Sequence, residues 1–512
     1  MTMSIRTSLL RALAAGFFPL SAYATDTLDF SAVAQHAQKS VEDGTVPSLA
    51  LAVAQNGNIV YEQAFGFADI AQRRAATIDT AYPLASASKP ITATALMVLQ
   101  ERGKVDLTAP VASYLAPFEL RAAEGSVDAV TLQTLLNHTS GLGTYAQIYY
   151  GDAIAARPAF AASVRRYAVL VHPPGRVSEY SNLGYGLIGN IIARRSGKSF
   201  AAFLQQTVFQ PLGMRHSFID APSAENADVA SGYDIAMKKL PELYNDTPGA
   251  GNAYASAHDL LRFGMFHLDP ERTAHAPLKR ETVERMRTNA DPRALHHYYA
   301  DSYYAQGWYV RPNDDGLRVA WHEGGMPGAS TIIKLIPEHR IAVVVLSNRT
   351  DANELTQEIV NQLLAVLLPD YKPARLDPTA RYTAYAAQPE FLGHWSGSIE
   401  VEGHSLPCTL TFASDGTVRI AYADSLDAKH QSEASFGGLA YGDSFIGAFA
   451  GHLPISLVTA PSDPLLLLKL IRTGSQLSGT AVAYSSPERL NYLLPFYIHL
   501  QRDAGSANSL PR

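Results

Sequence analysis

The chain has 512 residues, 47% of them hydrophobic and 17% charged, a globular balance that excludes a disordered polymer. That length makes two or three domains the expectation. A formal charge of −6 supplies no basic surface for nucleic acid or anionic lipid, so neither is expected as a partner.

The first 24 residues read as a signal peptide. Arg6 and Arg11 give a positive start, Ala12 to Leu20 are mostly apolar, and Ala22-Tyr23-Ala24 places small residues where a signal peptidase reads them. Cleavage after Ala24 is expected, which makes the protein exported, periplasmic or extracellular. The apolar stretch is shorter than the roughly 20 residues a spanning helix needs, and no later segment reaches that length. Leu465 to Ile471 is only strand-length and is interrupted by Lys469. Cys408 is the only cysteine, so no internal disulfide can form.

Residues 28 to 42 carry Leu28, Val33, Ala37 and Val41 at helical spacing. Two strand-like runs follow, Ser48 to Ala54 and Ile59 to Phe65, with Asn56-Gly57 between them as a hairpin signal. Ser86 to Arg102 reads as a helix, with Pro90 in its first turn and Gly103 past its end. Residues 105 to 300 read as mostly helical. Strands return at Arg318 to Trp321, Thr331 to Pro337 and Ile341 to Ser347, and a helix over Asn353 to Leu368 closes the region. This order describes an α/β fold, an α+β sandwich with an inserted helical lobe, over residues 25–369. A linker (370–390), an all-β barrel-like domain (391–503) and a tail (504–512) complete the expected organisation. No short-period repeat is present.

Three segments carry candidate chemistry. In Ser86-Ala87-Ser88-Lys89, residues three apart on a helix share a face, which brings the Lys89 amine to the Ser86 hydroxyl. A serine is a poor nucleophile until a neighbouring base takes its proton, and a desolvated lysine can do that. Tyr180-Ser181-Asn182 follows a loop forced by Pro173-Pro174-Gly175. Tyr180 offers a phenol for proton transfer, and Asn182 an amide for a substrate carbonyl or for Lys89. Trp321-His322-Glu323-Gly324-Gly325 ends a strand with glycines that let a substrate approach the backbone closely.

In this order and spacing the three segments resemble the serine β-lactamase and penicillin-binding-protein-like family: class C β-lactamases, D-alanyl carboxypeptidases, D-aminopeptidases and related esterases. The resemblance extends over residues 28 to 369 and includes Leu135 to Leu142, Pro174 to Ile192, Asp259 to Phe263 and Ile341 to Asn348. It implies that Ser86 is the acyl-forming nucleophile and that Lys89 and Tyr180 handle its proton, either being the base. It also implies that the Ser86 and Gly325 backbone N–H groups form the oxyanion hole, while Asn182, His322 and Gly324 line the substrate. Many members carry Lys-Thr-Gly where this chain has His322-Glu323-Gly324. A free histidine is mostly neutral at pH 7 and holds no fixed charge for a substrate carboxylate, unless Glu323 raises its pKa. A second, weaker resemblance, through Gly393 to Gly397 and Leu477 to Thr480, is to lipocalin-like appended domains.

The expected activity is therefore hydrolysis of small esters, D-amino-acid peptides or related amides through an acyl-enzyme, without metal or cofactor. The partner is a small-molecule or short-peptide substrate. The alternatives are a β-lactamase or D-alanyl-D-alanine carboxypeptidase, and a catalytically silent binder of peptidoglycan or β-lactam. Gly184 to Gly189 matches a dinucleotide fingerprint in letters, but a loop precedes it and no acid follows before Asp220, so these glycines read as helix-packing residues. His322-Glu323 begins like a zinc-protease helix, yet Met326 stands where the second ligand belongs.

Overall fold

The computed structural model describes residues 28–155, 157–220, 228–288, 295–296, 302–373, 383–423, 429–433, 438–455, 463–485 and 490–504. The expected signal peptide, the middle of the expected linker and nearly all of the expected tail lie outside the described residues.

The Asn56-Gly57 hairpin forms, with strand Ser48–Gln55 returning as Asn58–Asp69. Both turn residues take positive φ, 54° and 78°, the turn geometry whose twist matches that of the strands. The other edge of Ser48–Gln55 bonds to Ile341–Ser347, which continues through Ala329–Ile336 and Leu317–Met326 to Tyr309–Asp314. Segments some 290 residues apart in sequence thus share one eight-stranded antiparallel sheet. Every residue of Ala329–Ile336 and Ile341–Ser347 is buried, so both faces of the sheet are covered. Helices Asn353–Leu367 and Ala257–Leu268 pack on these strands, and Ser31–Glu42 packs on the hairpin Ser48–Gln55/Asn58–Asp69. Continuous apolar runs, rather than alternating ones, are what strands buried on both faces require.

Residues 105 to 300 differ from the mostly helical expectation. Helices such as Phe160–Tyr167, Asn182–Ser196 and Ala257–Leu268 alternate with very short strands. Ala146–Tyr150 pairs with Leu243–Asn245, and Ala253–Ala255 pairs with Tyr82–Pro83 and Ser217–Ile219. Strands of two to five residues have no readable period, so their pairing is set by tertiary contacts.

The C-terminal part is a curled antiparallel sheet, the barrel-like unit expected, in the form of an open half-barrel. Its strands run in an open order from Thr383–Ala384 to Lys429–Glu433, and among the described residues these two end strands do not pair. The expected strands are present as Gly393–Val401, His404–Phe412, Val418–Ala423, Leu465–Thr473, Gln476–Tyr484 and Tyr492–Arg502, with Ser444–Ala450 in addition. Two of them contain prolines. Pro407 and Pro495 both sit just outside the stretch where a second neighbour pairs, so the missing N–H breaks no ladder. The start of Tyr492–Arg502 instead reaches into the N-terminal part, where Tyr492 and Leu493 pair with Gln147 and Ala146. The two parts are therefore hydrogen-bonded to each other, not merely tethered.

Because this strand pairing crosses between the two parts, calorimetry of the full chain is expected to give one unfolding transition. Two separated transitions would mean that the C-terminal sheet unfolds independently.

Candidate active site

Strand Tyr82–Pro83 leads into a single 3-10 turn, Ala85–Ser88, and then into helix Lys89–Glu101 with Pro90 at its start. Leu84 is held from both sides: its N–H donates to the Ala253 carbonyl at 2.8 Å, and its carbonyl accepts from the Thr331 hydroxyl at 2.9 Å. Ala85 has φ +47°, a left-handed conformation that costs a residue with a Cβ about 1–2 kcal/mol. Ser86 then emerges as the one partly exposed residue between Ala81 and Pro90.

Lys89 lies fully buried beneath it. Its Nζ is 3.1 Å from Ser86 Oγ, 2.8 Å from Asn182 Oδ1 and 2.9 Å from the Ala250 carbonyl. Burial pushes the amine well below its ordinary pKa. A neutral amine has two N–H donors and one lone pair. The Asn182 and Ala250 oxygens can only accept, so they take the two protons, and the lone pair is left for the Ser86 hydroxyl to donate to. Asn182 is itself oriented, because its Nδ2 donates to the Tyr145 carbonyl at 2.7 Å. Both ends of its amide are therefore engaged by the protein, and its contact is with Lys89.

Tyr180 sits in the extended stretch between strand Val177–Ser178 and helix Asn182–Ser196. The Lys89 Nζ is 4.6 Å from its ring centroid. The flanking backbone is pinned twice on one residue: Glu179 N–H donates to the His138 carbonyl at 2.8 Å, and Ser181 N–H to His138 Nδ1 at 3.1 Å. The second bond fixes the tautomer, leaving the proton on Nε2. The His138 ring lies 4.3 Å from that of Tyr180. Burial, then Lys89, drives the His138 pKa well down, so the ring is neutral.

Strand Leu317–Met326 forms the opposite wall. Its pairing with Tyr309–Asp314 stops at Trp321, and the strand packs against the Ser86 turn. A Cβ on Gly324 would fall 2.0 Å from the Leu84 carbonyl and 2.3 Å from Thr331 Oγ1, so only glycine lets the strand approach the nucleophile turn. Gly325 is exposed at the cleft. His322 is buried. Its Nδ1 donates to the Glu323 carbonyl at 2.7 Å and its Nε2 accepts from the Tyr304 hydroxyl at 2.8 Å. The open alternative, that the Glu323 charge raises the His322 pKa, is not met. Burial, then Lys89, pushes it down to about 3, and only the Glu323 backbone carbonyl opposes them. The Glu323 carboxylate turns instead to Gln357 at 2.5 Å.

The structure thus brings Ser86, Lys89, Tyr180, Asn182, His322, Gly324 and Gly325 into one cleft. It also adds groups that the amino-acid sequence does not single out. The Ala250 carbonyl comes from the short helix Pro248–Gly251, where a Cβ on Gly249 would meet the Tyr185 carbonyl at 2.3 Å. Its only trace in sequence is the run of small residues. Tyr304 and Glu179 left no such trace. The Gly184 to Gly189 fingerprint is packing: a Cβ on Gly189 would fall 3.3 Å from the Gly249 backbone, and one on Gly186 would fall 2.9 Å from the Phe160 ring. Among the described residues no group of three or more His, Cys, Asp or Glu side chains could hold a metal ion.

Residues 33–367 match the family model described as Beta-lactamase. The chain belongs to the Beta-lactamase family. Penicillin-binding protein 4* of Bacillus subtilis (strain 168) is 27% identical over 362 residues, spanning 65% of this chain and 77% of its own length. Among solved structures, the octameric penicillin-binding protein homologue from Pyrococcus abyssi aligns with 92% of this chain and 100% of its own, at TM-score 0.56 and 21% identity. SurE with D-Leu aligns over 92% of this chain and 99% of its own, at TM-score 0.61 and 22% identity. Both alignments extend beyond the Beta-lactamase region, so the two-part architecture is shared. The Beta-lactamase family is one of serine hydrolases that includes β-lactamases, penicillin-binding proteins and esterases. No helix among the described residues is long and apolar enough to cross a membrane.

Gly324→Ala is expected to lower turnover of any acyl substrate by about 100-fold, because a displacement of about 1 Å at the reacting groups costs that much. Near-normal turnover would mean that the strand does not set the nucleophile turn. A second expectation concerns acid. His322 binds a proton near pH 6.5 when unfolded but only near pH 3 when folded. Between these values the unfolded state holds more protons, so stability falls as pH falls. In urea titrations His322→Gln should reduce this slope by about 1.4 kcal/mol per pH unit. Equal slopes would return His322 to an ordinary pKa.

Proposed function

We propose that this protein is an exported serine hydrolase that cleaves small esters, D-amino-acid peptides or related amides through an acyl-enzyme on Ser86. The observation that carries the reading is the buried Lys89 amine, with Asn182 Oδ1 and the Ala250 carbonyl at 2.8 and 2.9 Å and Ser86 Oγ at 3.1 Å. In the proposed reaction the Ser86 proton passes to Lys89 Nζ as Oγ bonds to the substrate carbonyl carbon. The carbonyl oxygen takes the negative charge opposite the Ser86 and Gly325 N–H groups, an arrangement worth roughly 3–4 kcal/mol per donor. Tyr180 then relays a proton to the departing alcohol or amine as its bond to the acyl carbon breaks. Water repeats the sequence in reverse and releases the acid. The signal peptide at residues 1–24 would deliver the chain to the periplasm or beyond.

The state of His322 favours this substrate class over carboxylate-bearing β-lactams. A buried neutral imidazole with both nitrogens engaged offers no cation to a substrate carboxylate. The alignment with a SurE structure that contains D-Leu supports the D-amino-acid side of the range.

A fluorophosphonate probe should label the wild type and not Ser86→Ala, while a fluorescent penicillin labels neither. Penicillin labelling that depends on Ser86 would favour the β-lactamase or carboxypeptidase alternative. No label from either probe would leave a silent binder. Against a panel of nitrophenyl esters and D-amino-acid amides, Tyr180→Phe should lower kcat by about 100-fold. Unchanged kcat would remove Tyr180 from the mechanism.

A further inference from the structure

Behind Tyr180 lies a second buried polar cluster that the proposed reaction does not use. Glu179 is 1% exposed. Its neighbour Tyr180 contacts Lys89 and His322, whereas the Glu179 carboxylate contacts the opposite side of the chain. There Oε1 accepts from Thr144 N–H at 3.2 Å and from the Thr144 hydroxyl at 3.3 Å. His172 Nε2 lies 3.2 Å from Oε2. The remaining partners come from the C-terminal sheet. The Thr480 hydroxyl is 3.1 Å from each carboxylate oxygen, and Lys469 Nζ is 3.8 Å from Oε1. Lys469 also donates to the Thr144 hydroxyl at 2.7 Å, so a chain of bonds runs from Lys469 through Thr144 to Glu179.

The packing around the cluster is close. A Cβ on Gly143 would fall 2.7 Å from Pro495 Cβ and 3.2 Å from Thr480 Cγ2. A Cβ on Gly479 would fall 2.1 Å from the Lys469 carbonyl and 3.3 Å from the His172 ring. Two residues beyond Gly143, Tyr145 supplies the carbonyl that orients Asn182, and Ala146 and Gln147 pair with the C-terminal strand Tyr492–Arg502. Removing a carboxylate from water costs several kcal/mol unless its partners hold it in good geometry. A side chain that cannot relax toward water transmits the position of those partners to its own backbone.

We propose that the C-terminal sheet is part of the catalytic apparatus, with Thr480 and Lys469 as positioning residues that act through Glu179 to hold Tyr180 over Lys89. This rests on the acyl-hydrolase reading for its effect on turnover, but the coupling to Tyr180 can be measured without it. Glu179 lies one peptide bond from the phenol-bearing residue, and two of its partners, Thr480 and Lys469, come from a segment about 300 residues later. The lysine that interrupts the apolar run Leu465–Ile471 is the one that reaches this carboxylate.

The test places 3-fluorotyrosine at position 180 of the full chain and follows its 19F resonance and titration beside kcat, KM and Tm. Thr480→Val keeps the side-chain shape and removes the hydroxyl. It is expected to move the resonance and to lower kcat by about 10- to 100-fold, with KM changed by less than about twofold. Thr480→Ser, which restores the hydroxyl, should recover both. Glu179→Gln serves as the second variant should Thr480→Val not fold, with the same expected shift. An unmoved 19F signal in the folded variants, or a loss that Thr480→Ser does not repair, overturns the proposal. A signal that moves in Thr480→Val, when the wild type itself shows neither turnover nor fluorophosphonate labelling, supports the coupling while sinking the hydrolase reading. An active wild type with an unmoved signal does the reverse.

Discussion

A lysine amine with no access to water sets the terms for the rest of this molecule. Lys89 stays in the core only because two fixed oxygens receive its protons, and each depends on further structure. Asn182 Oδ1 is aimed by the bond from its own amide nitrogen to the Tyr145 carbonyl. The Ala250 carbonyl is presented by a helix of four residues wedged against Asn182–Ser196 through paired glycines. Thr92, one turn after Lys89, ties the same short helix down by donating to the Gly249 carbonyl at 2.8 Å. An amine without those acceptors would be a buried polar group with nothing to bond to, an expensive state. The arrangement that stabilises Lys89 is therefore also the one that turns its lone pair toward Ser86.

The neighbouring bases follow the same electrostatic logic. Lys89, His138 and His322 are all driven toward their neutral forms, burial being the leading cause in each. Tyr304 is driven toward its protonated phenol, again by burial first, and so remains a donor to His322. A cleft floored with neutral groups can accept one proton from a nucleophile without competing against a standing charge. It also lacks the fixed cation that a lysine in place of His322 would supply. The departure from Lys-Thr-Gly is thus accommodated by Tyr304, which satisfies the imidazole from strand Tyr303–Tyr304, two strands away in the sheet.

The C-terminal sheet changes meaning once its contacts are considered. Composition marks it as a separate all-β unit after a linker, and its strands largely fall where alternation and turn residues place them. Its role is not in its own sequence pattern. Lys469 stands out in a leucine run as an inconsistency, and its partners, the Thr144 hydroxyl and the Glu179 carboxylate, belong to the N-terminal part. Gly143 and Gly479 mark where two backbones meet closely, information that a glycine in a loop or strand does not carry alone.

The amino-acid sequence by itself determined the three motif segments, the hairpin at Asn56-Gly57, the nucleophile helix and the central strands. Each of these is governed by local preference: turn residues that accept positive φ, side chains three apart on a helix, apolar runs of strand length. Tertiary structure alone decided the Ala250 carbonyl, the closure of His322 by Tyr304, the open curl of the C-terminal sheet and its bonds to Glu179. Those contacts join residues far apart in the chain, often through backbone atoms that every residue possesses. Nothing in the side-chain letters distinguishes them until folding brings them together.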